Sequence, residues 1–263
     1  MYPCFVISLP DEQKRRAFMA DHLQERGIEF EWFNAVDGRK MDVLAHPAYD
    51  KARRRACHGR DLKPGELGCL LSHQAVYQKI IDDNLDYAFI LEDDVQLHPK
   101  AKAVLESLQA SNFDFDVVRL FGSEKVARAK HRKIIELKDG FYLVRLQSTP
   151  GGTQGQIISR SGAQKLLKAL QILTFPIDTV HGRCWETGIN SYSIQPGIAL
   201  HDESFDSAIG DARFDKTIKL EGGERFRYKI NRPLFKLGEA VGKRWIYYKN
   251  YPHDVAVQRK KYS

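Results

Sequence analysis

Three carboxylates stand side by side at Glu92-Asp93-Asp94, and an apolar run, Tyr87-Ala88-Phe89-Ile90-Leu91, leads directly into them. Adjacent carboxylates repel one another unless a cation offsets their charge. Hard divalent cations such as Mg2+ and Mn2+ take carboxylate and phosphate oxygens together. In open α/β sheets ligands bind beyond the carboxyl ends of the strands, so position and chemistry agree. A solvated turn capping the next helix is the bland alternative, and the long apolar run in front weighs against it.

Five other constellations could carry chemistry. Cys69 and His73 lie at i, i+4 and would share one helix face. That spacing can hold a metal, but with no second ligand pair in view a buried thiol and a hydrogen-bonded histidine is the favoured reading. Arg15 and Arg16, with Lys14, suit phosphate contact near the start of a helix; read alone, they are a solvated helix face. Asp178 follows Phe175-Pro176-Ile177, and Glu186 stands eight residues on. A carboxylate held in a partly apolar turn can serve as a general base, although a helix cap or surface acid is the ordinary alternative. His201, in His201-Asp202-Glu203, could complete a metal shell or be an ordinary exposed histidine. Gly151-Gly152-Thr153-Gln154-Gly155 permits close approach of backbone to a ligand, without the Gly-Lys-Ser/Thr ending of a phosphate loop.

The elements that must position these groups read as an α/β chain. Residues 3–9 form a buried strand, Asp11 to Arg26 a helix, and Phe30 to Phe33 a second strand, a βαβ unit that favours a parallel sheet. Residues 38–63, with Arg53-Arg54-Arg55 inside, read as loop or short helices over the surface. Pro64 opens a helix to about Asp82, with Glu66 in its first turn. The strand from Asp86 to Leu91 ends in the acidic triplet. A helix over Pro99–Ala110, a strand at Phe115–Phe121 and a hairpin turning at Asp139-Gly140 follow. The glycine-rich loop enters another strand, Ser161 caps a helix to about Leu170, and Ile189–Ile194 is a late strand. Leu234 to Tyr248 is an amphipathic candidate.

The chain of 263 residues is 43% hydrophobic and 29% charged, a globular balance that excludes collagenous and largely disordered classes. No apolar run approaches the ~18 residues of a spanning helix. The opening Met1-Tyr2-Pro3-Cys4 has no basic or apolar leader region. Four scattered cysteines without a CxxC pair point to a reducing compartment. Net charge is +7, unevenly spread: residues 213–263 hold 14 Lys/Arg and 5 Asp/Glu, or +9, leaving 27 and 29, or −2, for residues 1–212. A nearly neutral body with a basic tail suggests docking to an anionic partner. The division expected is a catalytic domain over 1–212 and a basic aromatic segment over 213–263.

The order of the motifs is more specific than any one of them. Leu62-Lys63-Pro64-Gly65-Glu66-Leu67-Gly68-Cys69-Leu70-Leu71-Ser72-His73, followed a helix later by Ala88-Phe89-Ile90-Leu91-Glu92-Asp93-Asp94-Val95, strongly resembles glycosyltransferase family 25, the bacterial lipooligosaccharide galactosyltransferases and related enzymes. Val6-Ile7-Ser8-Leu9 with Arg15-Arg16, Ala35-Val36-Asp37-Gly38, and Gly162-Ala163-Gln164-Lys165-Leu166-Leu167 match further family segments. The resemblance spans about residues 3–210; Ser207-Ala208-Ile209 departs from the Ser-Asp-Ile often found there.

The resemblance implies a GT-A type glycosyltransferase fold, with one Rossmann-like nucleotide-sugar domain and a basic C-terminal extension. It implies a UDP-sugar donor, Mn2+ or Mg2+, and inversion at the anomeric carbon. Asp94, Asp93 and His201 would hold the metal. Leu9, Arg15, Arg16, Ala35, Asp37, Ser72, His73, Glu92, Asp93 and Gly152 would line the donor site. Asp178 would be the base, with Glu186 in reserve. The activity expected is transfer of a hexose, galactose first, to a lipooligosaccharide core acceptor. The expected place is cytoplasmic, at the inner membrane surface through the basic tail, with no nucleic acid as partner. Two competing readings are a nucleic-acid-binding protein using the tail and a Mg2+-dependent phosphohydrolase. For the tail, Phe226, Tyr228, Leu234, Phe235, Trp245, Tyr247 and Tyr248 are the expected interfacial contacts, against the alternative that they pack on the body.

Overall fold

The computed structural model describes residues 1–148, 152–201 and 220–260. The chain begins with β1 (Cys4–Ser8), α1 (Gln13–Glu25) and β2 (Glu31–Asn34). A short 3-10 turn at Val43–Ala45 precedes α2 (Lys51–His58) and α3 (Pro64–Asp82). Next come β3 (Tyr87–Glu92), β4 (Val95–Leu97), α4 (Ala101–Ala110), β5 (Val117–Arg119) and the single turn α5 (Glu124–Ala127). β6 (His131–Glu136) and β7 (Tyr142–Leu146) form a hairpin, and β8 (Gly155–Ser159) leads into α6 (Arg160–Ala169). Then follow α7 (Ile177–Gly182), α8 (Cys184–Thr187), β9 (Ser191–Gln195), β10 (Ala199–His201), α9 (Gly222–Lys249) and α10 (Tyr251–Lys260).

Among the described residues, eight strands make one sheet in the order β2-β1-β3-β8-β5-β9-β7-β6, and β10 pairs with β4 beside it. The β1–β2, β1–β3 and β5–β9 pairs are parallel. The sheet is nevertheless mixed, not parallel as the βαβ start suggests, because β8 runs against both β3 and β5, and β7 runs against β9. β6 and β7 are antiparallel as well, joined by a turn at which Asp139 and Gly140 both take left-handed backbone, with φ of 60° and 80°.

Successive strand residues point to opposite faces, and the sequence fills both. Val6, Phe89 and Leu91 pack with Met19 and Leu23 of α1 and Val104, Leu105 and Leu108 of α4. Phe5, Ile7, Ala88 and Ile90 pack on the other face with Leu67, Leu70, Val76 and Ile80 of α3 and Leu166 of α6. Helix α3 starts at Pro64 because proline fits the first helical position, while the Glu66 side chain accepts a hydrogen bond from the Lys63 amide at 2.9 Å. Helix α6 is capped by Ser159, whose hydroxyl accepts from the Gly162 amide at 3.0 Å. The expected cap, Ser161, instead donates to Asp116 at 2.6 Å.

Helices α9 and α10 pack on the body. Phe235 of α9 sits against His58 and Phe175, and Gly242 lies so close to Trp185 that a Cβ there would fall 2.3 Å from the indole. Asp254 of α10 is fully buried and accepts hydrogen bonds from Arg145 of β7 at 2.8 and 3.0 Å and from Arg132 of β6. The expected boundary at 212/213, Asp202-Glu203 and Ser207-Ala208-Ile209 lie outside the described residues. Among those described, no helix is long and apolar enough to cross a membrane.

Candidate active site

Strands β1, β2 and β3 run parallel, so their carboxyl ends, Ser8, Asn34 and Glu92, lie on one edge of the sheet, together with the start of antiparallel β8. A cleft of about 820 Å³ opens there. Its wall includes Leu9, Arg15, Ala35, Asp37, Ser72, His73, Glu92, Asp93, Asp94, Gly152, Asp178 and His201. Residues spread over nearly two hundred positions of sequence thus converge on one site. Two expected members do not line it. Arg16 turns away, donating to the Ser8 carbonyl at 3.1 Å and Asn34 Oδ1 at 2.7 Å and lying over the Trp32 ring. Glu186 of α8 is held by Arg183 at 2.7 and 2.5 Å, which keeps its carboxyl below the usual range.

The acidic triplet spans the end of β3 and the tight turn into β4. Arg15, almost buried in α1, donates to Asp93 Oδ1 at 2.8 Å and approaches Asp94 Oδ2 at 3.5 Å. His201 ends β10 opposite Val95 of β4, and its Nδ1 stands 3.6 Å from Asp94 Oδ2. Burial, with Glu92 adding repulsion, raises the Asp94 carboxyl to about 6, against the pull of His201 and Arg15. Asp94 Oδ1 and His201 Nδ1 are both buried without a hydrogen-bond partner among the described residues. Two orphaned donor atoms of oxygen and imidazole type, beside Asp93, fit a hard divalent cation such as Mn2+ or Mg2+.

Glu92 faces a different set. Burial opposes its charge, yet hydrogen bonds from His73 and Thr153 hold its carboxyl below the ordinary value. Thr153 Oγ1 donates to Glu92 Oε1 at 2.6 Å, and His73 Nε2 lies 3.3 Å from the same oxygen. His73 Nδ1 meets the Gln156 amide nitrogen at 3.3 Å and the Tyr77 hydroxyl at 3.4 Å, and Tyr77 reaches His181 Nε2 at 2.7 Å. Through these contacts His73 is hydrogen-bonded at both ring nitrogens. Donor atoms of Cys69, His73 and Glu92 also fall within 4.8 Å of one another, a third ligand type that spacing within one helix could not reveal.

The loop after β2 is fastened to α3 by contacts that explain two motifs at once. A Cβ on Gly38 would lie 2.1 Å from the Pro64 carbonyl oxygen, and one on Gly68 would lie 2.6 Å from the Gly38 amide nitrogen. Only glycine permits this approach. Ser72 Oγ donates to the Gly68 carbonyl at 2.7 Å and accepts from the Val36 amide at 2.8 Å. Ser72 therefore shapes the cleft by holding the Ala35–Gly38 loop. Asp37 sits on the exposed rim, paired with Arg39, which lowers its carboxyl.

Asp178 lies in the first turn of α7, where Oδ1 accepts from the Thr179 amide at 2.6 Å. Across from it stands Arg54, from the stretch expected to run over the surface. Arg54 is 1% exposed, its Nε and Nη1 have no hydrogen-bond partner among the described residues, and burial together with Arg60 pushes its pKa down to about 10. Consecutive helical residues point about 100° apart, so a run of three arginines on a helix cannot share one solvated face. Arg53 is half-exposed, Arg55 pairs with Asp61 at 2.7 Å, and Arg54 turns inward to the cleft. His58 and Arg60 are further cleft residues missed from sequence, and Thr153, read only as part of the glycine-rich loop, lines the cleft with its side chain on Glu92.

Residues 1–181 match the family model described as Glycosyltransferase family 25 (LPS biosynthesis protein). A putative glycosyltransferase of Haemophilus influenzae is 29% identical over 223 residues, covering 80% of this chain and 76% of that protein. Procollagen galactosyltransferase 1-B of Xenopus laevis is 30% identical over 180 residues, covering 63% of this chain and 28% of that protein. The chain thus spans about three quarters of the first relative and little more than a quarter of the second. Among solved structures, a glycosyltransferase involved in glycosylation of the major capsid of PBCV-1 aligns with a TM-score of 0.40 at 12% identity, covering 76% of this chain and 92% of that one.

Proposed function

The chain belongs to glycosyltransferase family 25, and we propose that it transfers a hexose, galactose first, from a UDP-sugar to a lipooligosaccharide core acceptor with inversion at the anomeric carbon. The observation that carries the reading is the buried pair of orphaned atoms, Asp94 Oδ1 and His201 Nδ1, at the carboxyl edge of the sheet beside Asp93. These residues would hold Mn2+ or Mg2+ in a GT-A type arrangement. Bound there, the cation supplies Lewis-acid neutralisation of the leaving diphosphate.

The chain's own groups do the rest. Arg15 fixes the Asp93 carboxylate and keeps the acidic turn from splaying. Thr153 and His73 fix Glu92, so the wall of the cleft presents an oriented charge to the donor. The Ala35–Gly38 loop, locked on α3, offers its backbone and Asp37 to the nucleoside. Asp178 accepts the proton of the acceptor hydroxyl as that oxygen attacks, one displacement that inverts the anomeric centre. The Xenopus relative is named for galactosyl transfer, which supports galactose as the first donor to try.

The test is release of UDP from a panel of UDP-hexoses with Mn2+ present, wild type against Asp94→Ala. Turnover with UDP-galactose that Asp94→Ala abolishes is expected. Equal turnover by both proteins would remove Asp94 from the site. An acceptor carried on lipid places the enzyme at the cytoplasmic face of the inner membrane.

A further inference from the structure

Helix α9 covers 28 residues, about 40 Å at 1.5 Å per residue. One side of it is committed to the body through Arg232, which donates to the Cys57 carbonyl at 2.8 Å, and through Phe235, Gly242 and Tyr247. The far side carries Phe226, Ile230, Leu234, Leu237, Val241 and Trp245, and the row ends at Tyr248, which also accepts from Lys130 of the body at 3.4 Å; all seven are 47 to 66% exposed. Their spacing of four, four, three, four, four and three residues keeps them in one stripe along the whole helix. A soluble surface scatters large apolar residues singly; a continuous stripe marks an interaction face.

The charges beside the stripe select the occupant. The helix holds eight Lys/Arg and two Glu. Both acids are engaged, Glu224 with Arg55 at 2.9 Å and Glu239 with Lys236 at 3.0 Å. Arg225, Arg227, Lys229, Lys236, Arg244 and Lys249 are exposed. A second copy of this chain laid on the stripe would bring like charges together along both flanks, which opposes pairing. A surface of anionic lipid headgroups over an apolar layer matches both the stripe and its flanks.

The geometry points to α9 lying in the plane of an anionic bilayer, its stripe seated among the acyl chains near the headgroups and its opposite side holding the catalytic body. Only part of the expected aromatic set takes this role. Phe226, Leu234, Trp245 and Tyr248 face outward, whereas Tyr228, Phe235 and Tyr247 turn toward the body, with Tyr228 against Gly59. Ile230, Leu237 and Val241 complete the stripe. Helix α9 packs on α2, whose Arg54 and His58 line the cleft, so a docked helix holds the cleft close to the membrane. This deepens the proposed function and rests on it only for the nature of the acceptor.

The test is flotation of the full chain with vesicles of phosphatidylcholine alone or with about a third phosphatidylglycerol, at low and high salt. Wild type is expected on the anionic vesicles, more weakly at high salt, and not on the neutral ones. Leu237→Glu with Val241→Glu should reduce binding at least tenfold, and Lys229→Gln with Arg244→Gln severalfold. Both variants should keep the wild-type melting temperature and UDP-sugar turnover with a soluble acceptor, because these side chains are remote from the cleft. Wild type indifferent to anionic lipid would overturn the inference. So would a Glu variant that folds and binds as well as wild type, or self-association that the same substitutions abolish. Vesicle binding without any UDP-sugar turnover would leave the docking intact and remove the catalytic reading instead.

Discussion

Asp94 concentrates the electrostatic tension of the site. Its carboxyl is raised from 3.8 to about 6, first by burial and then by Glu92. A raised folded-state value means the folded protein binds the proton more tightly than the unfolded chain. That contribution to stability is fully present below pH 4 and is lost as pH climbs through 6. Metal-free protein should therefore lose stability between pH 4 and 6. Asp94→Asn removes the buried charge and should stabilise the protein in chelator at pH 8 by up to about 3 kcal/mol, while changing little at pH 4. Melting temperatures from scanning calorimetry at the two pH values check this; a lower one for Asp94→Asn at pH 8 would contradict it. Asp178 and Glu186 differ in what they face. Asp178 is on the cleft wall, while Glu186 serves Arg183. Asp178→Asn should lower kcat by about 100- to 10,000-fold, the usual worth of a general base, with donor KM little changed. Glu186→Gln should leave kcat within severalfold of wild type. Steady-state UDP release reads both, and a reversed order would exchange their roles.

At the level of elements, the Ala35–Gly38 loop and the first turns of α3 act as one unit. Gly38→Ala puts a methyl 2.1 Å from the Pro64 carbonyl oxygen, where only backbone can give way. It should destabilise by about 1–3 kcal/mol in urea denaturation, as overpacking commonly does, and weaken donor binding as the loop lifts. Ser72→Ala should cost about 1–2 kcal/mol by leaving the Val36 amide unsatisfied. If Gly38→Ala matches wild type in both measurements, the loop is not locked as described. These elements also mark what could be read beforehand. Helix Pro64–Asp82 and the strand into Glu92 were legible because proline, an N3 glutamate and an unbroken apolar run signal them locally. The placing of Asp37, Ser72 and Asp94 around one cleft was implied by the resemblance to the family, not by any local pattern. The inward turn of Arg54 was not legible, since it depends on α2 being a helix, and that stretch has little apolar periodicity. The antiparallel β8 was hidden as well, because an apolar strand buried on both faces carries no sign of its direction.

The whole molecule is organised by where its charge is cancelled. The basic last fifth of the chain would repel a basic surface, yet α10 docks on β6 and β7 through Arg132 and Arg145. Asp254 makes that possible. From sequence it is one acid among many lysines and arginines; its partners stand more than a hundred residues earlier, so no local pattern could reveal it. The carboxylate is fully buried and Arg145 nearly so, which makes removal of one partner far more costly than loss of the pair's own attraction. Asp254→Ala leaves two guanidinium groups facing each other without a counter-charge and should destabilise the protein by about 3–5 kcal/mol. The loss should appear in urea denaturation and as early proteolytic cleavage near residue 250, with α10 released first. Combining Asp254→Leu with Arg145→Met and Arg132→Met replaces all three charges with apolar groups and should recover much of that stability. A single substitution as stable as wild type would mean that α10 is held by its apolar contacts alone. Recovery in the triple variant, with vesicle binding retained, would show that the single substitution fails through stranded buried charge, and that the outer face of α9 meets the membrane independently of how α10 is held.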